Sequence, residues 1–223
     1  MGNNSSSSNN TDNSVRGRDQ LSRHAKDDER LVREFLFKVC IVGASKSGKT
    51  ALVNRLLRDL FHSAYRPTDE VDFALKKVHL QSGNIIRVML WDIAGAEQER
   101  GRTRVLYAGA VGALVVVDSS QGAKGFHDAE QWINDLRSKS EFPGSEGRLQ
   151  IPIVLVVSKI DVLSENSKEA LSLKLKQFER KHNFAGTMLC SSKEGTPTIN
   201  GAFKLLIKHI LSQQENSPGF INH

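Results

Sequence analysis

Eight residues, Gly43 to Thr50, read GASKSGKT and fit the pattern G-x-x-x-x-G-K-[ST]. An apolar run, FLFKVCIVG, leads into them, and SGKTALVNRLLRDLF, with apolar residues at helical spacing, leads out. This unit demands a buried strand, a tight turn and a helix whose N-terminus faces whatever the loop encloses. Gly43 and Gly48 permit the turn. The backbone N–H groups from Ala44, Ser45, Lys46 and Ser47 on to Ala51, with the positive end of the helix, suit phosphate groups. In that context Lys49 is expected to reach the β- and γ-phosphates, and Thr50 to set its hydroxyl on Mg²⁺.

Strand and helix signals alternate through the rest of the chain. VDFALKKVHL and NIIRVMLWD flank the turn QSG and read as a hairpin. GALVVVD, a helix near Phe126 to Lys139, IPIVLVVSK, a helix near Ser167 to His182, GTMLCSS and a helix near Thr198 to Ser212 follow. Short apolar runs between amphipathic helices predict an α/β fold with about six strands, mostly parallel, and helices on both faces. No internal repeat is visible.

Composition narrows the function classes. A chain of 223 residues, 39% hydrophobic, buries one substantial core, and a single domain is expected over residues 34–212. Residues 1–33, opening MGNNSSSSNNTDNS, are too polar to offset ordering entropy and are expected to form a disordered arm, with at most a frayed helix over Asp19 to Arg33. A short flexible tail is expected over residues 213–223. No run of about 18 apolar residues and no charged-then-apolar leader occurs, so neither a spanning helix nor a secretory signal is expected. The formal charge of +6 is interspersed, which argues against nucleic acid as a partner. Cys40 and Cys190 sit in apolar runs and read as reduced core thiols.

A phosphate cradle does not choose a base. The SKID segment, Ser158 to Asp161, follows a buried strand at the carboxyl end, where such sheets bind ligands. An aspartate there accepts from guanine N1–H and its exocyclic amine, whereas adenine would leave the carboxylate unpaired.

Five ordered segments, GASKSGKT, YRPTDEVDF, WDIAG, SKID and CSSKEG, make the chain resemble a Ras-superfamily small GTPase, specifically a Rab, over about Phe35 to Leu211. Within the Rabs, VDFAL, WDIAG and AVGA are most similar to the subgroup linked to lysosome-related organelles. The resemblance implies a P-loop G domain, GTP/GDP and Mg²⁺ as ligands, a monomer, and effectors, an exchange factor and an activating protein as partners on the cytosolic face of endomembranes. It implies that Thr68 contacts Mg²⁺ and the γ-phosphate, that Asp92 holds the Mg²⁺ shell through water, and that the Gly95 N–H senses the γ-phosphate. Phe61 and Tyr65 flank the nucleotide, Lys159 lies along the base, and Ser191, Ser192 and Lys193 support it. Taken singly, Phe61 also reads as core and Thr68 as a cap.

The departures from that pattern matter as much. Ala96 stands where the family carries its water-positioning glutamine, and a methyl group aligns no water, so slow hydrolysis or a retired, effector-recruiting module is expected, with no catalytic side chain beyond Gln98 as a weak substitute. Ser158 replaces an asparagine and shortens one hydrogen-bond arm. Lys46 stands at a frequent glycine position, either near the phosphates or facing solvent. Asp69, Glu70 and Glu99 make the switch surface acidic. Of the three aromatics in the Rab effector patch, Phe73 and Trp91 are matched and Leu106 is aliphatic.

Rabs usually end in prenylated cysteines, which this sequence lacks. Gly2-Asn3-Asn4-Ser5-Ser6 after Met1 instead fits the N-myristoylation pattern. One myristoyl chain gives only marginal membrane binding, so reversible association is expected. The cellular protein should carry the mass of a myristoyl group, and Gly2→Ala should lose both that mass and the membrane-bound fraction on sedimentation.

Overall fold

The computed structural model describes residues 33–215 apart from 63, 65, 98–100, 146–148 and 196. Six strands form one sheet: β1 (Glu34–Val42), β2 (Val71–His79), β3 (Ile85–Ile93), β4 (Ala110–Asp118), β5 (Ile153–Ser158) and β6 (Gly186–Leu189), in the order β2-β3-β1-β4-β5-β6. Only β2 is antiparallel to its neighbour, because a tight turn joins it to β3, where Gly83 N–H donates to Leu80 O at 3.0 Å. The other pairs are parallel, as crossover helices require. The expected sheet and hairpin are both present.

Helices α1 (Lys49–Arg58), α2 (Thr103–Tyr107), α3 (Gly122–Lys139), α4 (Glu165–Lys181) and α5 (Pro197–Glu215) complete the layers. Helices α1 and α5 contact each other beneath one face, while α2 packs on α3, where Tyr107 Oη donates to Asp135 Oδ2 at 2.9 Å. Phe126 of α3 meets Phe178 of α4 edge to face at 5.2 Å. Strands β4 and β5 are buried throughout, since both faces are covered. Cys40 and Cys190 are free, buried thiols, and burial pushes the Cys40 thiol up to about 12.

Three helices extend past their sequence signals. Asp118 caps Ser120 N–H and opens a 3₁₀ turn, Ser119–Gln121, that runs into α3, so the helix begins before Phe126, an early core-facing residue. Ser164 accepts from Ser167 N–H and starts α4 at Glu165. Helix α5 continues through Glu215, three residues beyond Ser212, where Gln213 Nε2 donates to Gln150 O at 3.2 Å. Polar turns without apolar periodicity hide these ends from the sequence. The Asp19 to Arg33 helix, the N-terminal arm and residues 216–223 fall outside the described residues, apart from Arg33.

Leu136 of α3 is fully buried in the core. Leu136→Ala should lower unfolding stability by about 3 kcal/mol, measured by denaturant titration of both proteins at the same nucleotide concentration.

Candidate functional site

Strand β1 lies between β3 and β4, so the loop that leaves it emerges at the centre of the sheet's carboxyl edge. Its backbone admits no side chain at two points. A Cβ on Gly43 would stand 2.3 Å from Val116 O, and one on Gly95, from the turn after β3, would stand 2.2 Å from Ser45 N. The WDIAG turn therefore rests directly on the loop. Gly48, at φ 101°, precedes α1 and makes no side-chain cap, which leaves the first N–H groups of the helix pointing into the site. Lys46 adopts φ 64° with an exposed side chain, at a cost of about 1 kcal/mol for a residue with a Cβ.

Lys49 is 5% exposed, and its Nζ donates to Gly43 O at 2.9 Å and Ala44 O at 3.0 Å. Burial lowers its pKa to about 8, against the opposing pull of Asp92. Asp92, at the end of β3, is buried, and burial raises its pKa, opposed by the Thr50 hydrogen bond and Lys49. Thr50 Oγ1 donates to Asp92 Oδ2 at 2.5 Å. With that proton committed, Thr68 is the donor in its 3.0 Å contact with Thr50 Oγ1. Asp92 Oδ1 and Ser47 Oγ are buried without partners. Two hydroxyls and a carboxylate thus converge beside an ammonium and an open helix end.

The SKID segment ties the loop to the sheet. Ser158 Oγ lies 2.6 Å from Ser47 O and 2.9 Å from Val117 O, so its single proton is shared between the phosphate-type loop and β4. The hydroxyl that stands for the longer asparagine arm reaches the loop itself. Lys159 donates to Lys46 O at 2.8 Å and to Asp118 Oδ2 at 2.7 Å. Ser191 Oγ donates to Asp161 Oδ1 at 2.7 Å and accepts from Glu194 N–H at 3.1 Å, which orients the carboxylate and the CSSKEG loop together.

The segments expected to act as switches meet at two points. Ala94 N–H donates to Glu70 O at 2.8 Å, and Arg102 pairs with Glu70 Oε1 at 3.1 Å. Both side chains of that pair are more than 60% exposed, which limits it to at most about 1 kcal/mol. Ala96 is half-buried in the turn closed by Glu97 N–H to Ala94 O at 3.1 Å. Phe61 is exposed beyond α1. Gly2, Tyr65, Gln98 and Glu99 lie outside the described residues.

Phe73 is 62% exposed and stands edge to face on Trp91 at 4.6 Å. Leu106 is half-buried and accepts through its carbonyl from Cys40 Sγ, the register partner of Trp91. Two positions escaped the sequence reading. Lys38 Nζ sits 3.3 Å above the Trp91 ring and donates to Ala108 O, a role signalled only by one lysine in an apolar strand. Arg55 of α1, 13% exposed in its side chain, donates to Ser192 O at 2.7 Å and Lys193 O at 3.2 Å, and nothing in its helical spacing marks it out.

A glycine loop at the centre of a parallel sheet, a buried lysine and a carboxylate-bearing second loop define a nucleotide-binding α/β protein of the Ras type. The Ras family profile matches residues 38–212, and the chain belongs to that family. Its similarity is to the Rab branch: Ras-related protein Rab-32 of Sus scrofa is 39% identical over 186 residues, 83% of this chain and 79% of that protein. Ras-related protein Rab-32A of Dictyostelium discoideum is 32% identical over 200 residues, 89% of each chain. Ras-related protein Rab-7L1 of Homo sapiens is 36% identical over 180 residues, 80% of this chain and 84% of that protein. Membership supports a Rab-like GTP-binding switch in membrane traffic, and among the described residues no helix is long and apolar enough to cross a membrane.

Lys49 gives the site a pH signature. Its folded pKa of about 8 lies below the unfolded value, so the unfolded chain binds more protons between about pH 8 and 10.5. Stability of the nucleotide-free protein should therefore contain a component that rises with pH across that window. The pH dependence of denaturant unfolding should lose that rise in Lys49→Met.

Proposed function

We propose that this protein is a Rab-type switch that binds GTP and GDP with Mg²⁺ at the carboxyl edge of the sheet and hydrolyses GTP slowly. The observation that carries the reading is the convergence of Lys49, Thr50, Thr68 and Asp92 beside the open N-terminus of α1. Lys49 meets the β- and γ-phosphates, whose negative charge offsets the desolvation of its ammonium. The backbone from Gly43 to Ala51 cradles the phosphates. The hard oxygens of Thr50 and Thr68, with Asp92 acting through water, fit Mg²⁺, and the partnerless Asp92 Oδ1 is the acceptor such a shell requires. When bound there, Mg²⁺ supplies positive charge that offsets the phosphates.

Asp161, oriented by Ser191, accepts from the guanine edge, while Lys159, Ser192 and Lys193 frame the base and Phe61 and Tyr65 flank it. Ser158 serves the site indirectly by tethering the loop. Residues 34–212 carry this activity. Phe73, Trp91 and Leu106 form the effector patch. The resemblance to Rab-32 and Rab-7L1 points to endosomal or lysosome-related membranes, with N-myristoylation at Gly2 as the anchor and exchange factors and activating proteins as regulators.

A second reading, a GTP-bound effector-recruiting module without catalysis, is favoured by Ala96 and by interswitch contacts that need no phosphate, namely Ala94 N–H to Glu70 O and the Arg102–Glu70 pair.

Nucleotide extracted from the purified protein and analysed by chromatography should be guanine nucleotide; preferential ATP or ADP would overturn the reading. In a single-turnover assay Ala96→Gln should hydrolyse GTP roughly a hundred-fold faster than the wild type. Equal rates would remove Ala96 as the cause of slow turnover, and no hydrolysis by either protein would favour the second reading.

A further inference from the structure

Asp161 is positioned to read two donors of guanine, N1–H and the exocyclic amine, but the same edge also carries an acceptor, O6. A site that reads all three needs donors beside the carboxylate. The loop after β6 supplies candidates: Ser191 bonds Asp161, and the next two residues, Ser192 and Lys193, bring backbone N–H groups for which no acceptor is recorded among the described residues. What holds that loop comes from the far end of the site.

Arg55 lies on α1, the helix whose first two residues are Lys49 and Thr50. Its Nε donates to Ser192 O at 2.7 Å and its Nη2 to Lys193 O at 3.2 Å. Its Nη1 donates to Asp59 O at 2.7 Å and to Asp59 Oδ1 at 3.0 Å. Asp59 is the left-handed C-cap of α1, two residues before Phe61. One planar side chain therefore fastens three things: the end of α1, the approach to the first switch and two consecutive carbonyls of the base loop. A guanidinium fits this task because its donors sit on three nitrogens in a fixed plane and span acceptors further apart than the single nitrogen of an ammonium reaches. The charge-assisted bond to Ser192 O also polarises the peptide group that carries the Lys193 N–H.

We propose that Arg55 is a positioning residue for guanine-nucleotide retention, a strut by which the phosphate-bearing helix holds the O6-reading loop against the base. This rests on the guanine-nucleotide reading above. Arg55 does not touch the ligand. It converts order in α1 into order in the base loop, so the two halves of the site open together or not at all. Release of the nucleotide then requires breaking the Arg55 bonds to Ser192 and Lys193.

The test is the release rate of fluorescent mant-GDP from the full-length protein, together with competition by two altered diphosphates. Arg55→Met should release GDP about ten-fold faster, the factor expected for loss of a charge-assisted hydrogen-bond set. Arg55→Lys, which keeps the charge and loses the fork, should fall between it and the wild type and guards against a folding defect in the first variant. 6-Thio-GDP keeps N1–H and the amine but replaces O6 with a poor acceptor, and its affinity penalty should shrink in Arg55→Met. Inosine diphosphate lacks only the amine that faces Asp161, and its penalty should stay within two-fold of the wild-type value. Release within two-fold of the wild type, or faster release with an unchanged 6-thio penalty, would overturn the proposal; the second result would make Arg55 a stabiliser of α1 alone. A wild-type protein that retains no guanine nucleotide would instead defeat the functional reading itself.

Discussion

The ammonium of Lys49 is folded back onto the carbonyls of its own glycine loop, almost out of reach of water. Taking that charge from solvent is costly, and the cost appears in its lowered pKa. The structure sustains it because the loop is bound from three sides: β4 presses on Gly43, the turn at Gly95 rests on Ser45, and Ser158 and Lys159 grip Ser47 and Lys46 from β5 and the turn beyond it. Each contact comes from a different part of the chain, and each is close enough that an added methyl group or a longer side chain would disturb it.

The same economy governs the carboxylates. Asp92 is buried at the end of a strand and Asp161 sits after one, so both are delivered to a single edge by parallel pairing. Their surroundings differ. Asp92 is half-satisfied, with one oxygen bonded by Thr50 and the other without a partner, and burial raises its pKa. Asp161 is steered by one serine from a loop that Arg55 holds. A dry, charge-rich end and a hydrogen-bonded, more open end therefore share one edge of the sheet.

Of the acidic residues Asp69 and Glu70 that follow Thr68, Glu70 has a local partner. Glu70 meets Arg102 across the gap between the two switch segments, so part of the added negative charge is matched within the chain. Phe73 and Trp91 remain at the surface of the β2–β3 hairpin, with Lys38 held over the indole from the next strand.

Much of this architecture was legible in one dimension. The glycine loop between a strand and a helix, the QSG hairpin and the buried runs of β4 and β5 follow from periodicity and turn chemistry, which are local properties. So does the candidacy of Lys49, Thr50 and Asp161, because their motifs abut strand ends, while that of Asp92 came from the resemblance to Rabs. Helix ends were read less well, since Ser164 and Asp118 act through caps that carry no apolar period. What only the tertiary structure decided are the cross-chain partnerships: Ser158 with Ser47, Lys38 with Trp91, Glu70 with Arg102 and Arg55 with Ser192. Those pairs are separated by dozens of residues and joined by strand order and helix packing. A short sequence window records neither.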